Sequence, residues 1–229
     1  MLSALLATGA AADPTNDLIA AAREGCAKGN ARSCNLLGHM ELANHHVVEA
    51  AALFARACDG GNAGGCTWRG WCLLSAIGVK RDIPGALALF RRACDGGDSD
   101  GCYELGECLA NGWGVARDPA AAASLYAGAC EAPHDDDRFA FKNQFGEWAC
   151  SRLGKMLLDG DGVPRDDQRA AGLFDRACRG GHMEGCLLLA GLLRDGRGVA
   201  RDLKRARSLW KSACKGGNQE ACRQLHRRK

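Results

Sequence analysis

The sequence has few prolines, no long apolar run and almost no net charge. Its 229 residues include five prolines, with 30 basic against 27 acidic residues and a formal net charge of +3. That charge is too small to indicate binding to nucleic acid or to an acidic membrane surface. No apolar run reaches the roughly 20 residues that a membrane-spanning helix needs, so no transmembrane segment is predicted. Few prolines together with 31 glycines favour helices joined by glycine turns.

Catalytic and metal-binding motifs are also scarce. Ser208 and Lys211 match S-x-x-K, the nucleophile motif of serine β-lactamases, but neither K-T-G nor S-D-N accompanies it. The stretch aligns with repeat sequences elsewhere in the chain, so repeat packing explains the match. No H-x-H-x-D occurs, and the adjacent pair His45 and His46 is expected to be solvated rather than to bind a metal. We predict no metal, no cofactor and no identifiable catalytic residue.

Cysteine, in contrast, is abundant. Reducing compartments keep thiols unpaired, so 14 cysteines at regular spacing favour a disulfide framework. Most of them recur as pairs around a Gly-Gly, as in "RRACDGGDSDGC", at a period near 36 residues. Such a period predicts a solenoid of stacked units.

Each unit is predicted to contain two antiparallel helices. Apolar residues recur three, six and seven positions after the second cysteine of a pair, which is the stripe of an amphipathic helix. Position four is always small, as close helix packing requires. A turn such as "DGRGVARD" follows, and its glycines permit the positive φ angles that end a helix. Its aspartate is a good N-cap for the second helix, at Asp82, Asp118, Asp166 and Asp202.

These motifs resemble Sel1-like repeats, a subclass of the tetratricopeptide-like solenoids, over about residues 20–226. The cysteine pairs narrow the resemblance to the cysteine-rich Sel1 proteins typified by the Helicobacter cysteine-rich proteins. It implies an all-α, right-handed α/α superhelical solenoid of about five repeats, over residues 18–229. Residues 1–17 are expected to be a signal-peptide remnant or a disordered lead. The first repeat departs from the pattern because it lacks the glycine turn.

The spacing also predicts how the cysteines pair. Eight residues within one helix would separate two Cα atoms by about 12 Å, too far for a disulfide, but a Gly-Gly lets the chain reverse. We predict six bonds that join neighbouring helices: Cys26–Cys34, Cys58–Cys66, Cys94–Cys102, Cys130–Cys150, Cys178–Cys186 and Cys214–Cys222. Cys72 and Cys108 are expected to be free, buried thiols, with a seventh disulfide between them as the alternative. Zinc is disfavoured because its structural sites usually present cysteines two to four residues apart.

One face of the first helices is the candidate binding surface. Positions two and five after the second cysteine are expected to line the concave side of the solenoid. They are Leu36, His39, Trp68, Trp71, Glu104, Glu107, Arg152 and Lys155. Aromatic and charged residues together would suit a protein, a peptide or a peptidoglycan fragment. Two alternatives remain: the glutamates pair with Arg152 and Lys155 between repeats, or the N-terminal segment covers the tryptophans.

An insertion near residues 131–147 carries Asp135–Asp137 followed by Phe139, Phe141 and Phe145. It is expected to be a polar loop leading into an extended helix, or alternatively a partner-binding lobe.

The function we expect is that of a monomeric, non-catalytic, extracytoplasmic scaffold, either periplasmic or secreted. The resemblance implies two alternatives: weak β-lactamase or penicillin-binding activity, and an assembly factor of the mitochondrial intermembrane space.

Overall fold

The computed structural model describes residues 14–132 and 145–226. Within these ranges the chain forms twelve α-helices and no strand, which confirms the all-α prediction. None of the helices in these ranges is long and apolar enough to cross a membrane. The proposed lead over residues 1–17 lies largely outside the described residues, as do Asp135–Asp137, Phe139 and Phe141 of the insertion.

The chain divides into two compact units, Met1–Arg81 (unit 1) and Asp82–Lys229 (unit 2). Unit 1 contains α1 (Pro14–Ala27), α2 (Ala31–Ala43), α3 (Val47–Asp59) and α4 (Ala63–Ser75). Unit 2 contains α5 (Ile83–Asp95), α6 (Ser99–Asn111), α7 (Pro119–Glu131), α8 (Phe145–Asp159), α9 (Asp167–Arg179), α10 (Met183–Asp195), α11 (Leu203–Lys215) and α12 (Gln219–His226). Within each unit consecutive helices pack together, and α2 also contacts α4, while α8 contacts both α6 and α10. The even-numbered helices therefore form a layer within each unit.

The turns follow the sequence prediction. The four aspartates predicted as N-caps each accept a hydrogen bond from the backbone N–H three residues later. The arginine before the aspartate closes the preceding helix in three of the four turns. Its Nε donates to a backbone carbonyl seven residues earlier: Arg81 to Leu74, Arg117 to Ala110 and Arg201 to Arg194.

The small residue at position four makes room for an aromatic ring from the other helix of the same repeat. A Cβ atom at Gly38 would lie 2.7 Å from the ring of Phe54, and one at Gly154 would lie 2.6 Å from the ring of Phe174. Tyr126 is in the same relation to Gly106. These rings are fully buried, so each of these three repeats is held together by a ring packed against a glycine.

All six predicted disulfides are present. Each joins an odd-numbered helix to the helix that follows it, with Cα–Cα distances of 4.4–4.9 Å. The reversal between the helices uses positive φ at the last glycine of the turn, for example 90° at Gly61. Cys72 and Cys108 are buried and unbonded.

Candidate functional site

Unit 2 has a pocket in its layer of even-numbered helices. The pocket is lined by Tyr103, Trp148, Arg152, His182 and Glu184. Trp148 is 39% exposed, and its ring centroid lies 6.0 Å from that of Tyr103. It lies two residues before Cys150, the position that Glu184 occupies before Cys186. Relative to its cysteine, α8 begins two residues earlier than α10, and this extension carries Phe145, whose ring centroid lies 5.3 Å from that of Trp148 and 5.2 Å from that of Tyr103.

Arg152 is held at the edge of this pocket by a network of buried groups. Its Nε lies 2.8 Å from Oε1 of Glu107, and a terminal nitrogen donates to Oε2 at 3.0 Å. The hydroxyl of Tyr126 also donates to Glu107, at 2.6 Å. Burial raises the pKa of Tyr126, as does this bond to a carboxylate. Glu107, which is 8% exposed, therefore positions Arg152 rather than offering a free carboxylate.

His182 and Glu184 close the pocket from the start of α10. His182 is at the N-cap position but makes no side-chain cap bond. Instead, its Nδ1 lies 2.7 Å from the hydroxyl of the buried Ser151. Burial lowers the pKa of His182, which favours a neutral ring. Glu184 forms an ion pair with Lys155.

Two carboxyl groups at the beginning of α6 titrate near neutrality. Burial raises the pKa of Glu104 to about 7, and the charge of Glu107 adds to this effect. Burial likewise raises the pKa of Asp100 to about 7, with contributions from Asp98 and Glu104. One carboxyl oxygen of Asp100 is buried without a hydrogen-bond partner in the described structure. Ionising Glu104 or Asp100 is therefore unfavourable in the folded chain, because burial and neighbouring carboxylates oppose the negative charge.

The corresponding layer of unit 1 carries an aromatic cluster. The His39 ring lies 4.6 Å from that of Trp68 and 5.2 Å from that of Phe54, and the two tryptophan rings, Trp68 and Trp71, are 5.7 Å apart. Burial lowers the pKa of His39 to about 4, so the ring is neutral at physiological pH. Leu36 packs against the neighbouring apolar core of α1–α3.

The structure thus brings together some of the residues predicted for binding. His39, Trp68 and Trp71 form one cluster, and Glu107 pairs with Arg152 as one of the sequence alternatives proposed. Lys155 pairs with Glu184, which was outside the predicted set. The sequence analysis also missed Tyr103, Trp148 and His182. One signal was available for His182, because the equivalent N-cap position is Asn or Asp in the other repeats, at Asn30, Asn62, Asp98 and Asn218.

Ser208 and Lys211 lie on α11 with both side chains exposed. A lysine that serves as a catalytic base is usually desolvated, and this position provides no such environment. β-Lactam hydrolysis stays a prediction of the resemblance. Turnover of a chromogenic cephalosporin that disappears in Ser208→Ala would support it.

Comparison with known proteins places the chain in a family. The Sel1 repeat profile matches residues 31–62, 64–98, 99–134, 149–182 and 184–218, which is most of the chain. No curated protein sequence matches significantly. A solved protective antigen present in uropathogenic Escherichia coli strains, displaying an SLR fold, is 26% identical with a TM-score of 0.76. That match covers 89% of this chain but only 42% of the antigen.

Two further solved structures are similar. A Sel1 repeat protein from Oxalobacter formigenes is 24% identical, with a TM-score of 0.78, covering 93% of this chain and 84% of that one. Cysteine rich protein B of Helicobacter pylori is 19% identical, with a TM-score of 0.27, covering 79% of this chain and 95% of that one. The repeat profile, the paired helices and the glycine-ring packing agree, and the chain belongs to the Sel1 repeat family.

Proposed function

We propose that this chain is an extracytoplasmic scaffold that binds a protein or peptide through its even-numbered helices. The observation that carries the proposal is the unit 2 pocket, where Trp148 and Tyr103 adjoin Arg152. An exposed tryptophan beside an oriented guanidinium is typical of interface residues that contribute most of the binding energy, and the buried Tyr103 ring supports Trp148 from below. The Sel1 repeat fold is itself typical of protein–protein interaction.

The chemistry of the pocket suggests what the bound segment contains. A guanidinium has five N–H donors, and Arg152 uses only part of this set on Glu107 and Tyr103. Its side chain is 41% exposed, so donors remain accessible to a ligand. An apolar side chain against Trp148 next to a carboxylate on Arg152 would use both features. We therefore propose a peptide segment that pairs an apolar residue with an acidic residue or a free C-terminus.

Selection from a random peptide library displayed on phage tests this proposal. We expect peptides enriched on the oxidised wild-type protein to bind Trp148→Ala at least roughly tenfold more weakly, because interface tryptophans often contribute 2 kcal/mol or more. Trp113→Ala is the matched control, since Trp113 is also exposed but lies in the turn after α6. If the enriched peptides bind both variants equally, the pocket is not the binding site. Muramyl peptides tested in the same assay distinguish a cell-wall ligand from a protein one.

The disulfides support the proposed extracytoplasmic compartment. Six bonds between neighbouring helices require an oxidising environment to form and persist. After expression in such a compartment, we expect alkylation of the denatured, unreduced protein to label two thiols, Cys72 and Cys108. Labelling of all 14 cysteines in protein isolated from its native host would contradict the extracytoplasmic assignment.

A further inference from the structure

Glu41 departs from the pattern of the repeat because it places a carboxyl group where the other repeats have an apolar residue. It lies seven positions after Cys34, where the other repeats have Leu73, Leu109, Leu157 and Leu193. Glu41 is nevertheless only 6% exposed. A carboxylate in place of a leucine in the core is unfavourable unless something compensates for its desolvation.

The neighbouring turn departs from the pattern as well. The N-cap of α3 is His46, where the other repeats have the capping aspartate, and His46 makes no side-chain cap bond. Its ring turns back to the preceding helix, so that Nδ1 lies 2.7 Å from Oε2 of Glu41. Glu49, in the first turn of α3, joins them: Glu41, His46 and Glu49 each offer a ligand atom within 4.8 Å of one another. Residues that break the repeat at separate points of the sequence thus converge at one place.

Glu41 has two partners within the described part of the chain, and both are largely exposed to solvent. Arg23 donates to its other oxygen, Oε1, at 3.3 Å, and the arginine side chain is 65% exposed. The His46 side chain is 60% exposed. Pairs in which one partner is solvated usually contribute less than about 1 kcal/mol. The cluster is therefore poorly explained as a device for stability.

We propose that Glu41, His46 and Glu49 form a binding site for a divalent transition metal ion, with Zn²⁺ as the representative ligand. One imidazole and two carboxylates, with a fourth position open to water, are a ligand set that Zn²⁺ accepts. Zinc bonds of about 2.0–2.2 Å at tetrahedral angles place two ligand atoms about 3.3 Å apart. Glu41 and His46 need to separate only slightly from their present distance to reach this geometry.

The ion would connect α2 to α3 where the chain lacks the glycine turn. Glu41 is the buried anchor on α2, and Arg23 remains on its second oxygen as an outer partner that orients the carboxylate. His46 and Glu49 come from the first turn of α3 and are exposed, so the ion has access from solvent. No metal was predicted from the sequence, because the cysteine spacing does not suit zinc and His46 was expected to be solvated. This site is built once, from residues that do not recur.

Titration calorimetry of the full chain tests the proposal, after dialysis against a chelator. We expect one saturable equivalent of Zn²⁺, and Co²⁺ in its place should show the visible absorption of a four-coordinate complex. Glu41→Leu introduces the residue found at this position in the other repeats and is expected to fold. It should weaken Zn²⁺ binding by roughly 100-fold or more, since even the loss of outer partners costs 10–100-fold. His46→Asn provides a capping residue in place of a ligand and should have a similar effect.

His45→Asn is the matched control. His45 has a φ of 64°, a conformation that asparagine tolerates, and it is adjacent to the site without being one of the three ligands. This variant should bind Zn²⁺ as the wild type does. Absence of saturable binding in the wild type, or equal affinity in Glu41→Leu, overturns the proposal. Loss of binding in His45→Asn alone would assign the ion to a different site.

Discussion

The even-numbered helices of the two units have the same backbone pattern but different surface chemistry. In unit 1, positions two and five of the repeat contribute neutral rings, His39, Trp68 and Trp71, that pack edge to face. In unit 2, the same positions contribute charged residues: Glu107 pairs with Arg152, and Lys155 pairs with Glu184, which lies two residues before Cys186. A single scaffold position thus accommodates either aromatic packing or paired charge.

The difference correlates with one atom in the buried core. The ring that packs on the small residue of the repeat is Phe54 at Gly38 in unit 1, whereas in unit 2 it is Tyr126 at Gly106 and Phe174 at Gly154. A buried hydroxyl needs a partner, and Glu107 accepts its hydrogen bond. The buried carboxylate then needs a cation, which Arg152 provides. The polarity of the unit 2 surface is in this way connected to its core, whereas Phe54 imposes no such requirement in unit 1.

Removing the cation should be the largest perturbation. Arg152→Met leaves Glu107 buried with only a tyrosine as its partner, and we expect a loss of about 3 kcal/mol in the free energy of unfolding. Urea denaturation of the disulfide-bonded protein measures the loss, with hydrogen exchange assigning it to unit 2. The comparison is with His39→Leu in unit 1, which removes no charge and should cost less than about 1 kcal/mol.

The triple change Tyr126→Phe, Glu107→Leu and Arg152→Met replaces the polar network of unit 2 by apolar side chains, as at Phe54 in unit 1. Replacing a whole buried network by apolar residues is often neutral, so most of the stability lost in Arg152→Met should return. If the triple variant is as unstable as Arg152→Met, the Tyr126 hydroxyl does not determine the need for Glu107 and Arg152, and the proposed connection between core and surface is wrong.

Two helices, α2 of unit 1 and α6 of unit 2, should also respond to pH with opposite sign, whereas His182 makes the start of α10 in unit 2 respond as α2 does. His39 has a pKa of about 4 in the folded chain against an ordinary value of 6.5. The unfolded state therefore binds the proton first, and unit 1 loses stability as the pH falls from 6.5 toward 4. Glu104 has a pKa of about 7 against an ordinary value of 4.5, so unit 2 loses stability as the pH rises from 4.5 toward 7. Each effect is expected to be about 2–3 kcal/mol at most.

Hydrogen exchange measured between pH 4 and pH 8, corrected for the intrinsic rate, follows both units in one experiment. His39→Leu should reduce the loss of stability that α2 and α4 show as the pH falls from 6.5 toward 4. Glu104→Gln should reduce the loss of stability that α6 shows as the pH rises from 4.5 toward 7. Asp100 titrates in the same direction as Glu104, so a residual slope in unit 2 is expected to disappear only in Asp100→Asn with Glu104→Gln. Slopes of equal sign in α2 and α6 of the wild type would contradict the comparison.

Repeat-wide features were predictable from the sequence, whereas features found once were not. Asp118 as an N-cap and Gly106 as a contact for a ring follow from local chemistry that is repeated along the chain. Periodicity also placed Glu107 on the correct helix face. It did not show that Tyr126, 19 residues later, would bury that carboxylate, because the partner of a side chain depends on which residue lies opposite it. Glu41 and His46 were missed for the same reason.

The ring contacts provide a test in which the two units should behave alike. Gly38→Ala in unit 1 and Gly154→Ala in unit 2 each force a methyl group against a buried phenylalanine ring. Overpacking of this kind usually costs 1–3 kcal/mol, and we expect about 2 kcal/mol from each in thermal or urea denaturation. Gly172→Ala, where a Cβ meets nothing within 4 Å, is the control and should not destabilise the protein. Unequal losses at Gly38 and Gly154 would mean that the cores differ as much as the surfaces do.

The smallest expected effect concerns the helix ends. α4 ends at Ala76 with φ 58°, a left-handed conformation, where the equivalent residues of unit 2 are Gly112, Gly160 and Gly196. An alanine in this conformation costs about 1–2 kcal/mol relative to glycine, of which the greater freedom of glycine in the unfolded chain offsets a part. Ala76→Gly should therefore stabilise unit 1 by about 0.5–1 kcal/mol.

The reverse change in unit 2, Gly112→Ala, should destabilise that unit by a similar amount. A Cβ there meets other atoms only at 3.5 Å or more, so the loss measures the backbone conformation alone and not a steric clash. Denaturation of the two single variants and of the double variant, in which the changes should nearly cancel, checks this symmetry. A loss of stability in Ala76→Gly would show instead that the methyl group of Ala76 makes a contact in unit 1 that outweighs its backbone cost.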